Sequence, residues 1–159
     1  NLGSAVTKPF GAANTTRGIF GGGNGFGKTM EYIQIMSTGN AVDFGDMLTS
    51  NITMTACCSS TRAVIGSIRN PAYSNQMEYF TMATKGNTID FGDQTDNRGA
   101  AAPMSSSTRG VWAGGYGSPA FRTTIDYVEI ATTGDAKDFG DVGHAADHLA
   151  GCSNGHGGL

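Results

Sequence analysis

Charged residues are scarce in this chain of 159 residues. Asp, Glu, Lys and Arg make up 14% of it, against about 25% in a typical globular domain. The net charge is −3 and the basic residues are scattered, so we expect no nucleic-acid partner, because binding to phosphate backbones needs clustered positive charge. No apolar run approaches the roughly 20 residues that span a bilayer, so we expect no membrane insertion.

Proline and cysteine are also rare. Four prolines beside 25 glycines fit neither proline-rich disorder nor a collagen-like period. Three cysteines, with Cys57 and Cys58 adjacent, do not make a disulfide framework. Abundant glycine with little charge favours short strands joined by tight turns, and the length suits one domain over residues 1–159.

Four landmarks recur in one order about every 47 residues, which divides the domain into units of approximately 1–46, 47–93 and 94–141 with a partial unit at 142–159. They are a Thr-Arg pair, an acidic residue followed by tyrosine, a glycine turn, and Asp-Phe-Gly-Asp. In chain order, the copies begin at Thr16, Glu31, Thr38 and Asp43; at Thr61, Glu78, Lys85 and Asp90; and at Thr108, Asp126, Thr133 and Asp138.

Each unit has the alternation of β-strands. Ile33 and Ile35 share one face of the strand after the acidic residue, as do Phe80 with Met82 and Val128 with Ile130. We expect Asp-Phe-Gly-Asp to form turns that its aspartates cap, with phenylalanine as a core anchor. Three or four strands fit in a unit, which is the size of one propeller blade.

The repeats resemble kelch repeats, in which a strand ending in Gly-Gly precedes a loop, an aromatic strand and a Thr-Gly turn. Phenylalanine stands where kelch blades usually have tryptophan after the turn. The segments Ser106 to Val111 and Ile125 to Ala136 resemble kelch-like repeats of virion structural and tail-fibre proteins of cyanobacterial and marine phages. The resemblance implies an all-β, propeller-like scaffold with an extracellular or virion-surface role, and it implies no catalytic residue.

A surplus segment indicates how such a scaffold assembles. Residues 2–17 correspond to 47–62, to 94–109 and, more loosely, to 141–156, so both ends carry the same kind of segment. Propellers close with about four to eight blades, so three units predict self-association, as a ring or a filament, through the terminal strands. The alternative fold is a β-trefoil, which also has three repeats of this size.

Two motifs fit familiar active sites but are better explained by the repeat. Residues 22–29 match the P-loop pattern, but a strand rather than a helix is predicted after them, so we interpret them as a hairpin loop. Asp-Phe-Gly occurs three times without the other kinase motifs. We therefore predict no enzyme and no cofactor.

A metal site near the C-terminus is a weak alternative. His144 and His148 at i, i+4 with Cys152 would suit zinc on a helix. However, Cys152 lies one period after Ser105, which predicts a small residue packed on a strand. We therefore favour no metal.

The loops that vary between units are the candidate ligand sites, because their aromatic rings suit stacking on sugars. A rigid turn with one packed ring accounts for these aromatics equally well. These candidates are Asn24, Phe26, Tyr73, Tyr116 and Phe121. Asn14 and Asn51 begin glycosylation sequons. The leading hypothesis is a non-enzymatic module of an extracellular or virion assembly that contacts a glycan; the alternative is a monomeric trefoil lectin.

Overall fold

The computed structural model describes residues 1–25 and 27–153, which contain strands and no helix. The all-β prediction is confirmed. The strands are β1 (Phe10–Ala13), β2 (Arg17–Gly21), β3 (Thr29–Gln34), β4 (Val42–Asp46), β5 (Thr55–Cys58), β6 (Arg62–Gly66), β7 (Ile68–Asn70), β8 (Ala72–Ser74), β9 (Gln76–Thr81), β10 (Ile89–Asp93), β11 (Ala102–Ser105), β12 (Arg109–Ala113), β13 (Tyr116–Gly117), β14 (Ala120–Phe121), β15 (Thr124–Glu129) and β16 (Lys137–Asp141).

Each repeat unit forms one four-stranded antiparallel sheet. The first sheet has the order β1-β2-β3-β4, the second β5-β6-β9-β10 and the third β11-β12-β15-β16. The hairpins β7-β8 and β13-β14 lie in the loops between the middle strands of the second and third sheets. Among the described strands no sheet closes into a barrel, as a β-trefoil requires, and the three sheets do not close into a propeller.

Asp-Phe-Gly-Asp forms the outermost strand of each sheet rather than a capped turn, which corrects the prediction for the aspartates. Each copy contains a β-bulge that skips the phenylalanine in the pairing register. The glycine that follows has a positive φ in all three copies, of 147°, 134° and 137°. An L side chain rarely adopts that conformation, which explains why glycine recurs there.

The core consists of two layers, one between the first and second sheets and one between the second and third. Phe44 of the first sheet packs edge-on against Phe80 of the second, with ring centroids 5.3 Å apart. Phe91 of the second sheet is buried in a cluster with Val128 and Ile130 of the third. Phe44 and Phe91 therefore anchor their sheets to the next one, as predicted for core residues, whereas the prediction is wrong for Phe139, which is 55% exposed.

The surplus segment after β16 forms no assigned strand but follows the same path as the segments that precede β1, β5 and β11. Lys8, Thr53, Ala100 and His148 have φ values of 59°, 58°, 56° and 52°, at equivalent points of the four segments. The amide of His148 donates to the carbonyl of Ala100 at 3.0 Å, as that of Ala100 donates to Thr53 at 2.9 Å. The described part of the partial unit thus repeats the path of its three predecessors.

The register of this last segment differs by one residue from the predicted one. Ser153 Oγ lies 2.8 Å from Ser105 Oγ, at a sequence separation of 48. Cys152 is therefore not at the packed strand position and is exposed.

We predict that a thiol reagent labels one cysteine of the native chain, Cys152, and all three in denaturant. Burial raises the pKa of the Cys57 thiol, and burial also raises that of Cys58, so neither forms the reactive thiolate readily. Mass spectrometry of the native, labelled chain checks this. Rapid native labelling of Cys57 would contradict the packing between the second and third sheets.

Candidate functional site

An arginine clamp joins each sheet to the next. Arg62 lies over the ring of Tyr79 at 4.4 Å, and its guanidinium donates to the carbonyls of Ile130 and Ala131 of the third sheet at 3.1 and 2.9 Å. The first sheet makes the same contacts to the second through Arg17, Tyr32, Met82 and Ala83. The arginine of the repeated Thr-Arg pair is thus the donor of an inter-sheet clamp in the first and second units.

Main-chain hydrogen bonds at the bulges complete each junction. Gly86 of the second sheet's turn donates its amide to the carbonyl of Phe44 at 2.9 Å. Gly134 of the third sheet donates to Phe91 in the same way at 2.7 Å. A Cβ at Gly92 would overlap the backbone of Gly134, so the sheets approach closely here because glycine leaves the space.

The outer face of the third sheet has the same phenylalanine, arginine and glycine that the other two sheets use in their junctions, but no sheet packs against it. Phe139 is 55% exposed, whereas Phe44 and Phe91 are 1% and 2% exposed. Arg109 lies over Tyr127 at 4.4 Å, as its equivalents do over their tyrosines, but its guanidinium pairs with Glu129 in its own sheet. A Cβ at Gly140 would meet nothing within 4 Å.

The outer face of the first sheet carries the other half. Ile35 is 47% exposed, although the equivalent Met82 and Ile130 are 0% and 1% exposed. Met36 is 84% exposed and follows Ile35 as Ala83 follows Met82. In the second and third sheets the predicted apolar face is buried, which confirms the prediction. In the first sheet the same face has no sheet against it and is partly exposed; we call it the free face.

Part of that free face is occupied by the start of the chain. Asn1 donates its terminal amine to Asn40 Oδ1 at 2.9 Å and accepts from the amide of Ala41 at 2.9 Å. Asp46 makes the same two bonds with Asn87 and Thr88 at the junction of the first and second sheets. Asn1 thus takes the place of the last residue of a preceding Asp-Phe-Gly-Asp strand.

Three of the predicted ligand residues meet in one aromatic cluster. The ring centroid of Tyr116 lies 5.4 Å from that of Tyr73 and 5.2 Å from that of Phe121. The two tyrosines line a polar cleft of about 680 Å³ between the β7-β8 and β13-β14 hairpins, which Phe121 does not line. Loop aromatics of two units therefore lie together, an arrangement that their positions in the repeat did not predict.

Sequence analysis missed the charged residues of this cleft. Arg69, Asp96 and Arg122 line it together with the tyrosines. Arg122 Nε lies 2.8 Å from Asp96 Oδ2, and the Arg69 guanidinium lies 5.3 Å from the centre of the Tyr73 ring. None of these three residues recurs at the repeat period, so the repeat could not be used to predict them.

A buried ion pair joins the segment that follows Asp96 to strand β15 of the third sheet. Arg98 and Asp126 are both fully buried and paired, and Asp126 also accepts from the amide and hydroxyl of Thr95. Burial raises the pKa of the Asp126 carboxyl, and Arg98 opposes that rise. These bonds hold the segment that carries Asp96 and Asn97 in one position.

The other candidate residues do not join the cleft. Asn24 belongs to the first unit, where its backbone bridges Thr7, and Phe26 lies outside the described residues. Asn14 Oδ1 accepts from the amides of its own turn, and Asn51 is 1% exposed. The folded chain therefore does not present Asn51 for glycosylation.

The weak alternatives at the C-terminal end and at residues 22–29 find no support. His144 and Cys152 are exposed, and His148 pairs with Asp147 at 3.0 Å. They lie on no helix, and no three potential ligands within 1–25 and 27–153 converge on a metal position. Residues 22–29 lead into strand β3, so the hairpin interpretation is confirmed for the residues described there.

Comparison with known proteins gives no assignment: no protein-family model matches the chain, and no curated protein matches it. Within the part of the chain that the structure describes, no helix has both the length and the apolar character of a membrane span.

We predict that Arg62→Met lowers the free energy of unfolding by about 2 kcal/mol, since it removes two charge-assisted hydrogen bonds and a cation-π contact. Arg109→Met should cost less than about 1 kcal/mol, because its exposed ion pair contributes little. Urea unfolding of both variants checks this. Equal losses would show that the clamp to the neighbouring sheet contributes no stability.

Proposed function

We propose that this chain is a non-enzymatic structural module whose sheets are kelch-like propeller blades, and that it associates end to end with a second copy in an extracellular or virion assembly. One observation carries the proposal. The junction between successive sheets occurs twice within the chain, and its two complementary halves are exposed on the outer faces of the third and first sheets.

The intramolecular junctions specify the register of the proposed contact. Arg109 of one copy leaves Glu129 and donates to the carbonyls of Ile35 and Met36 of the second copy. Phe139 covers the exposed face of the second copy's first sheet, as Phe44 covers that of the second sheet. The bulge carbonyl of Phe139 accepts from the Gly39 amide, as that of Phe91 accepts from Gly134.

Burial favours this contact. Phe139 and Ile35 would each change from about half-exposed to buried, and full burial of such a side chain contributes about 1.5–3 kcal/mol. The contact also replaces an exposed ion pair of Arg109 by two charge-assisted hydrogen bonds. Two copies supply six sheets, within the roughly four to eight that close a propeller.

The contact requires an exchange of segments. Asp141 of one copy would bind Asn40 and Ala41 of the next copy, and Asn1 of that next copy already binds them. In the same way, residues 142–153 of the first copy and residues 1–13 of the second would need the same place beside the second copy's first sheet. One of the two segments must leave before the sheets meet. Association is therefore expected to be slower than a simple docking of rigid surfaces.

We predict that light scattering gives a mass of at least twice 16.4 kDa for the chain, and 16.4 kDa for Gly140→Ala. A Cβ at Gly140 meets nothing within the chain but would collide with Gly39 of a second copy, as one at Gly92 would with Gly134.

Gly134→Ala is the control, because its φ of 149° imposes strain comparable to that at Gly140, whose φ is 137°, while a Cβ there meets nothing within 4 Å and lies away from the outer face. Circular dichroism establishes that both variants fold. A wild-type monomer at every concentration, or an associated Gly140→Ala, would refute the proposed contact.

A second role, contact with a glycan, is favoured by the aromatic cluster. Tyr73 and Tyr116 are half-buried rings at the wall of a polar cleft, and rings with a free face and polar neighbours suit sugar binding.

We predict that Tyr116→Ala abolishes binding to the glycans that the wild-type chain retains on a glycan array, because it removes a stacking surface. Tyr32→Ala, a half-buried tyrosine in the first sheet, is the control and should bind as the wild type does. Circular dichroism establishes that both variants fold. Retained binding by Tyr116→Ala, or loss of binding in both folded variants, would mean that the cleft is not the site.

A further inference from the structure

We infer that the cleft between the β7-β8 and β13-β14 hairpins selects saccharides that carry a carboxylate, such as uronic acids. This inference rests on the proposed glycan role and goes beyond it, because it names the chemical class. The aromatic cluster accounts for a sugar ring, and the cations of the cleft account for the negative charge.

The charge balance of the cleft is opposite to that of the chain. Arg69 and Arg122 line it against one carboxylate, Asp96, whereas the whole chain has a net charge of −3. A cleft with low-dielectric walls concentrates the field of its charges. An anionic ligand is therefore attracted here although the protein as a whole is acidic.

The two guanidinium groups are held in a way that leaves their terminal nitrogens for a ligand. Arg69 uses Nε to donate to the carbonyl of Pro71 at 3.2 Å, and Arg122 uses Nε for its ion pair with Asp96. Among the described hydrogen bonds, none uses a terminal nitrogen of either side chain. A guanidinium edge of this kind binds a carboxylate with two parallel hydrogen bonds.

The groups are also fixed before any ligand arrives. Arg69 stacks on Tyr73, Tyr73 contacts Tyr116, and the backbone of Tyr116 bridges Gly99 with both bonds at 2.9 Å. The buried pair of Arg98 and Asp126 anchors the wall that carries Asp96. A preorganised site spends less of its binding energy on ordering side chains.

The geometry divides recognition between two groups of residues. Tyr116, and the part of Tyr73 that Arg69 does not cover, offer aromatic surface to the pyranose ring, and Asn97 is a polar residue of the lining. The arginines bind the carboxylate. A neutral sugar can use the first group and leaves the second without a partner.

Isothermal titration of the full chain with a uronic-acid oligosaccharide and with its carboxyl-reduced, neutral counterpart tests the inference. We expect the acidic form to bind at least tenfold more tightly. Arg122→Gln and Arg69→Gln should each remove most of that difference, while Lys85→Gln, which removes an exposed cation from a distant turn, should keep it.

The outcomes separate the two proposals. Equal binding of both saccharides would overturn the carboxylate inference and leave the glycan role in place. Binding of neither would overturn both, and binding of inorganic sulfate as tightly as the acidic saccharide would replace the saccharide by a simple anion site. A thermal melt of each variant shows that it folds.

Discussion

Face-to-face packing of successive sheets is the constraint on which the whole structure depends. A four-stranded sheet of short strands has no core of its own and becomes stable when another layer covers its apolar face. Here the bulge at Asp-Phe-Gly-Asp turns a phenylalanine out of its own strand pairing and into the next sheet. The same packing creates the core, spaces the sheets and leaves two faces uncovered at the ends.

The middle sheet packs against a neighbour on each side, so its strands need apolar side chains on both faces. On β6, Ala63 and Ile65 belong to the layer shared with the first sheet, while Val64 belongs to the layer shared with the third. Both faces of that strand are therefore apolar. The outer sheets have the same strand pattern but a neighbour on one side, which is why equivalent residues such as Met82 and Ile35 differ so much in exposure.

This difference explains how far sequence reasoning could go. Periodicity was sufficient to predict the strands, the four landmarks and the inward faces at Phe80 and Val128, because those depend on local pattern. It could not predict that Ile35 and Phe139 are exposed, since exposure there depends on the absence of a neighbouring sheet. The mistaken turn at Asp-Phe-Gly-Asp arose because aspartate and glycine favour turns, and the bulge meets the same backbone requirement inside a strand.

The charged cleft escaped prediction for the opposite reason. Arg69, Asp96 and Arg122 belong to connections that differ from unit to unit, and their proximity follows from the packing of two sheets rather than from spacing in the chain. The strands fix the positions of the loops. The sequences of the loops can differ between units because these loops contribute little to the core. A scaffold of this kind separates the residues that hold the sheets together from those that line the cleft. Substitutions in the cleft can therefore change its charge and shape without disturbing the junctions between sheets.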